Sequence, residues 1–214
     1  MSRIVAWHGN VGGPGDWLPL ESHFQSMEKR CLWEPGALET VEGDVLLGYS
    51  LGGRLALQAA TAAPKKFRAV IVLSAHPGLT HPAERSRRLL EDLAWSELAA
   101  TLPWAEFLQR WDAQDVLGPG SQDRLTLEAH RDAIVAGFQK WSLGQQPDLR
   151  LLLRRLECPL HWITGAEDMK FTGLASEAGC GHHHILPGAG HRLLSPTHAE
   201  PLAALLRSLK IVAP

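Results

Sequence analysis

Apolar residues along the chain fall into short runs separated by glycine, proline and polar clusters. Residues 3–7, 67–73 and 160–164 are near-continuous apolar runs, the pattern of strands covered on both faces of a sheet. Residues 30–33, 45–49 and 182–186 read as three further strands. Helical patterns run over about 17–27, 54–63, 149–156 and 198–209. Strand and helix alternate except over 82–143. There Leu89, Leu90, Leu93 and Leu98 fall at helical spacing, as do Trp104, Phe107, Leu108 and Trp111. A third pattern runs from Leu125 to Trp141, with Ile134 and Phe138 along one side. Three helices with no strand between them predict an insertion, a cap subdomain over about 80–146. The whole predicts a single α/β domain over 1–214 with a mostly parallel sheet of about six strands. One connection is anomalous: only about ten residues separate 30–33 from the strand at 45. Parallel neighbours ordinarily take a crossover of about a dozen or more residues, usually a helix. At ~3.3 Å per extended residue a bare loop still spans the gap, and a bare loop is expected.

Composition narrows the function classes. The 214 residues carry a formal net charge of −2, 7% aromatic residues and no basic block, so nothing favours nucleic acid or a membrane surface as partner. No apolar stretch approaches the ~20 residues of a membrane span. The N-terminus runs straight into a strand with no room for a signal peptide. Cys31, Cys158 and Cys180 are widely spaced and form no metal or redox motif. A cytoplasmic, thiol-reduced protein is expected, and oligomeric state is left open.

The chemistry gathers around Gly48-Tyr49-Ser50-Leu51-Gly52. This G-x-S-x-G run between a strand and a helix is a nucleophile elbow. Ser50 sits at the tip of a turn too tight for side chains two residues before and two after it. The helix that follows aims its N-terminal N–H groups, beginning with Leu51, at charge developing near the serine oxygen. The loop His8-Gly9-Asn10-Val11-Gly12-Gly13-Pro14-Gly15-Asp16-Trp17 is not G-x-G-x-x-G, and so fits a dinucleotide poorly. It suits the second half of an oxyanion hole, with a backbone N–H near Asn10. Asp168 follows the strand at 160–164, and His191 follows the strand at 182–186. Groups after parallel strands gather at one sheet edge, in the chain order Ser…Asp…His. His191 would take the Ser50 proton and Asp168 would hold the imidazole. Asp168 is preferred over the adjacent Glu167. His182, His183 and His184 alternate faces in a strand, so they do not converge on one metal ion. Neither a metal nor a cofactor is expected.

The glycine loop ending Gly15-Asp16-Trp17 and the elbow Gly48-Tyr49-Ser50-Leu51-Gly52-Gly53-Arg54 resemble a known family. So do Ser74-Ala75-His76-Pro77-Gly78-Leu79, Gln146-Pro147-Asp148-Leu149, Gly165-Ala166-Glu167-Asp168-Met169-Lys170-Phe171 and Gly188-Ala189-Gly190-His191. They are similar to the menaquinone-pathway lyases of α/β-hydrolase fold, the 2-succinyl-6-hydroxy-2,4-cyclohexadiene-1-carboxylate synthases. The resemblance covers nearly the whole chain but lacks the helix usual before the elbow strand. It implies elimination of pyruvate from an enolpyruvyl cyclohexene polycarboxylate, with Ser50, His191 and Asp168 acting as general base. It also implies substrate contacts by Tyr49, Arg54, Arg88, Trp111 and Arg131, arginine being suited to carboxylates. Arg85, Arg87 and Arg88 read equally well as a solvated helix face, and the tryptophan stripe as helix packing. Two other readings stay open: a serine esterase or thioesterase working through an acyl-enzyme, and a non-catalytic binding module.

Overall fold

The computed structural model describes residues 3–24, 26–118 and 123–211, and the chain divides into two compact units. The first comprises Met1–Leu32, Gly36–Pro77 and Leu149–Pro214, and the second Trp33–Pro35 and Gly78–Asp148. Residue 25 of the expected first helix and residues 119–122 of the expected insertion lie outside the described residues.

The first unit holds a six-stranded sheet: β1 Ile4–Trp7, β2 Met27–Arg30, β3 Val45–Tyr49, β4 Ala69–Leu73, β5 Leu160–Gly165 and β6 His182–Leu186. The order is β2-β1-β3-β4-β5-β6, with every pairing parallel. Helices α1 Leu18–Glu21, α2 Leu51–Ala62, α6 Arg150–Leu153, α7 Met169–Ala178 and α8 Ala199–Ser208 belong to this unit. On one sheet face Ile4, Ala6, Val45, Leu47, Ile71 and Ile163 share a core with Leu20 of α1 and with Leu202 and Leu206 of α8. The alternate residues of β1, β3 and β4 are buried on the opposite face, where α2 packs. Each Leu or Ile so enclosed contributes roughly 2 kcal/mol. Burial on both faces is why β1, β3, β4 and β5 read as apolar runs.

Two expectations are corrected. The helix expected over 17–27 is a single 3-10 turn, Pro14–Trp17, followed by the four residues of α1. The strand expected at 30–33 is β2, three residues earlier and made of Met-Glu-Lys-Arg. It is an edge strand, partly exposed throughout, so it carries no apolar run to betray it. The apolar Leu32 lies beyond it, where its N–H donates to His8 Nε2 at 2.8 Å. A third element, α7, was not anticipated at all.

The connection from β2 to β3 contains no helix among the described residues. Side chains stitch it to the sheet instead. Trp7 Nε1 donates to the Ala37 carbonyl (2.9 Å), and Arg30 donates to the Gly36 and Glu39 carbonyls. Arg3 grips buried Asp44 at the start of β3 through Nε (3.0 Å) and Nη2 (2.8 Å).

The second unit is helical: α3 Pro82–Thr101, α4 Trp104–Asp112 and α5 Arg131–Lys140, the last preceded by a 3-10 stretch Leu125–His130. Its centre is an aromatic cluster of Trp95, Phe107, Trp111 and Phe138, with ring centroids 5.0–6.4 Å apart. Trp33 packs here against Trp141, and a Cβ on Gly137 would lie 2.7 Å from its ring. No helix among the described residues is long and apolar enough to cross a membrane.

Candidate active site

The strand order reverses between β1 and β3: β1 leads outward to β2, and β3 leads the other way to β4. Loops leaving the carboxyl ends of strands at such a switch point flank a crevice. Here those loops are the glycine-rich loop after β1 and the elbow after β3.

At the elbow, Ser50 has φ +51 and caps α2. A Cβ on Gly48 would lie 2.4 Å from the Gly52 carbonyl oxygen, and one on Gly52 would lie 2.1 Å from that of Trp7. Both contacts are with backbone that cannot yield, so the two glycines are steric requirements of the turn. Hydrogen bonds from Ser50 N–H to the Leu73 carbonyl (2.9 Å) and from Gly52 N–H to the His8 carbonyl (3.0 Å) lock it to its neighbours.

Three side chains from three loops meet there. Ser50 Oγ lies 3.3 Å from His191 Nε2, at the long end of hydrogen-bonding range, and His191 Nδ1 lies 2.8 Å from Asp168 Oδ2. Asp168 and His191 are buried and Ser50 is half-buried. Glu167 is exposed, so of the two adjacent acids only Asp168 reaches the imidazole. Two rings bracket His191: Tyr49, with centroids 5.6 Å apart, and Phe171, with centroids 4.5 Å apart. A Cβ on Gly165 would strike the Ala189 carbonyl oxygen at 2.1 Å, so the end of β5 and the loop carrying His191 fit together only through that glycine.

Around this trio, α2 begins at Leu51, directing its N-terminal end toward Ser50. Asn10 is half-buried, its Oδ1 accepting from the Val11 N–H (3.1 Å) in a loop where Val11 has φ +49. His8, fully buried, fastens that loop. Because Nε2 accepts from Leu32, Nδ1–H donates to the Gly9 carbonyl (2.8 Å). Arg54 lies one turn into α2 and is buried, its N–H bonded to the Ser50 carbonyl (3.0 Å).

The remaining residues expected at the site belong to the helical unit, where each is engaged locally. Arg88 Nε donates to both oxygens of buried Asp92 at 2.9 Å. Arg131 donates to the Leu102 carbonyl (3.0 Å) and to Glu128 (2.9 Å), and stacks over Trp104. Trp111 is part of the aromatic cluster. His183 faces Thr164 (2.8 Å), whereas His182 and His184 stack on His161 from the other face, the alternation expected of a strand.

Two residues of the site stand in motifs of the sequence without a role being assigned to them there. Phe171 lies on α7, whose helical pattern is weak. Ser74, the residue after β4, donates its hydroxyl to Asp168 Oδ2 at 2.9 Å, a contact that only the sheet register reveals.

Residues 34–128 match the protein-family model Esterase, described as "Putative esterase". The chain is 32% identical to the 2-succinyl-6-hydroxy-2,4-cyclohexadiene-1-carboxylate synthase of Salmonella typhimurium, covering 96% of this chain and 91% of the relative. That alignment runs over 237 positions, so the relative carries residues that this 214-residue chain lacks. Among solved structures, MenH from S. aureus superposes with a TM-score of 0.79 at 16% identity, covering 96% of this chain and 92% of that one. A thermophilic esterase from Thermogutta terrifontis superposes with a TM-score of 0.65 at 17% identity, covering 100% and 91%. The fold is that of the α/β-hydrolases.

Proposed function

The chain belongs to the 2-succinyl-6-hydroxy-2,4-cyclohexadiene-1-carboxylate synthase family, and on that premise we propose that it is a carbon–oxygen lyase. It eliminates pyruvate from a succinyl-enolpyruvyl-hydroxycyclohexene-carboxylate to give the cyclohexadiene of the family's name. The observation that carries this reading is the relatedness over 96% of the chain, joined to the hydrogen-bonded series Ser50–His191–Asp168.

In this reading the three residues form a general base. Ser50 Oγ takes a ring proton as its own proton passes to His191 Nε2. Asp168 holds the imidazole by Nδ1 and stabilises its positive charge. The electron pair left on the ring moves through the ring double bond, and the carbon–oxygen bond to the enolpyruvyl group breaks. The departing enolate takes up a proton to become pyruvate as the His191 imidazolium gives one up, which restores the base. No acyl-enzyme forms. Negative charge developing on the substrate faces the N-terminal end of α2 at Leu51 and the loop at Asn10. Among the arginines, Arg54 is the favoured carboxylate partner, because it is buried one turn beyond Ser50. Tyr49 lines the same site through its ring beside His191. Arg88 and Arg131, in the helical unit, are engaged by Asp92, by the Leu102 carbonyl and by Glu128, so neither is preferred over Arg54 as the carboxylate partner. Trp111 contributes there through packing.

Purified protein supplied with the enolpyruvyl substrate is expected to release pyruvate, read by coupling to lactate dehydrogenase, and Ser50→Ala is expected to abolish it. Brisk turnover of p-nitrophenyl esters with no pyruvate would assign the site to a serine hydrolase instead.

A further inference from the structure

We infer that Ser74 is a positioning residue that holds the Asp168 carboxylate for His191. Ser74 is fully buried immediately after β4, and its N–H donates to the Ile163 carbonyl of β5 at 2.9 Å. Its hydroxyl carries one proton, and that proton goes to Asp168 Oδ2 at 2.9 Å, since an ionised carboxylate only accepts. The same oxygen accepts from His191 Nδ1 at 2.8 Å. Two donors from two directions therefore fix one carboxylate oxygen, and a turn of the Asp168 side chain would break both bonds. The backbone reinforces the point. Ser74 has φ +44, a conformation that glycine adopts readily and serine only under strain. A strained serine at a position suited to glycine is explained by what its hydroxyl does.

Two substitutions separate the hydroxyl from the backbone. Ser74→Gly removes the hydroxyl and relieves the strain. Ser74→Ala removes the hydroxyl and keeps the strain. If the hydroxyl positions Asp168, both lower kcat for pyruvate release by about tenfold, with KM changed less than about twofold. Adding Ser74→Gly to Asp168→Asn then costs less than about twofold more, because the partner is already gone. This kinetic arm rests on the lyase reading. A second arm does not: the proton NMR resonance of His191 Nδ1–H, sheltered between imidazole and carboxylate, should broaden through faster exchange in Ser74→Gly. If wild-type protein released no pyruvate, the lyase reading would fail and the NMR arm alone would decide on Ser74. Wild-type kcat and an unchanged resonance in Ser74→Gly would overturn the inference. So would a loss of activity in Ser74→Ala that Ser74→Gly does not share, since that would trace the effect to backbone strain.

Discussion

Acid should weaken this fold most through one imidazole. His161 is buried on β5, its Nδ1 3.1 Å from His184 Nε2 and its ring stacked on His182. Burial first, then the charges of His184 and His182, push its pKa from 6.5 down to about 4. The same imidazole in the unfolded chain takes its proton near the ordinary value. Well above that value both states are neutral and stability is intact. As pH falls through it, only the unfolded state binds the proton, and stability drains away until the folded pKa is reached. The full gap amounts to about 3 kcal/mol, of which about 2 kcal/mol is lost by about pH 5. With a urea slope of ~2.5 kcal/mol per molar, that is a midpoint lower by roughly 0.8 M. His161→Asn keeps a hydrogen-bonding atom near the Nδ1 position and cannot be protonated. Equilibrium urea unfolding of both proteins at about pH 7.5 and about pH 5 gives the comparison, with the wild type expected to lose about 2 kcal/mol more. His183 and His184, whose pKa values burial also lowers, titrate in both proteins and largely cancel. Parallel losses would refute the assignment to His161.

Two further outcomes follow from the elbow. Gly52→Ala drives a methyl group into the Trp7 carbonyl and should cost about 3 kcal/mol, read as a urea midpoint lower by roughly 1 M, with Ser50 displaced and turnover lost. Arg54→Ala should lower kcat/KM for the polycarboxylate by about a hundredfold and for a neutral ester by less than about threefold. Equal losses on the two substrates would remove the carboxylate-partner role.

How far each feature was legible depended on where its cause lay. The runs that became β1, β3, β4 and β5 were readable because both faces of those strands are buried and local composition records it. The polar edge strand β2 is fixed by its ladder to β1, a contact 23 residues away in register, Ile4 opposite Met27, so composition misplaced it. Helix α7 was overlooked because its buried residues, Phe171, Ala175 and Ala178, are few and two are small. The spacing of Ser50, Asp168 and His191 after three strands was enough to bring them to one sheet edge on paper, because parallel strands share their carboxyl ends. Ser74 stands in one of the family-like motifs, but its bond to Asp168 left no such trace. Its part depends on a positive φ and on the adjacency of β4 and β5, neither of which a single serine after an apolar run announces.

Pro77 and Leu149 bound the helical insertion within the sheet unit, and the Leu149 N–H donates to the Pro77 carbonyl at 2.9 Å. The polypeptide thus departs and returns across one peptide hydrogen bond, so everything from 78 to 148 is a detour with closed ends. Beyond it, the Val70 N–H is already tied to the Pro159 carbonyl, and the β4–β5 ladder proceeds from there. A detour of this kind can be lengthened, trimmed or rebuilt without altering the strand register that sets Ser74 beside Asp168. Changes in the 78–148 stretch can therefore accumulate while the hydrogen bonds joining Ser50, His191 and Asp168 stay as they are.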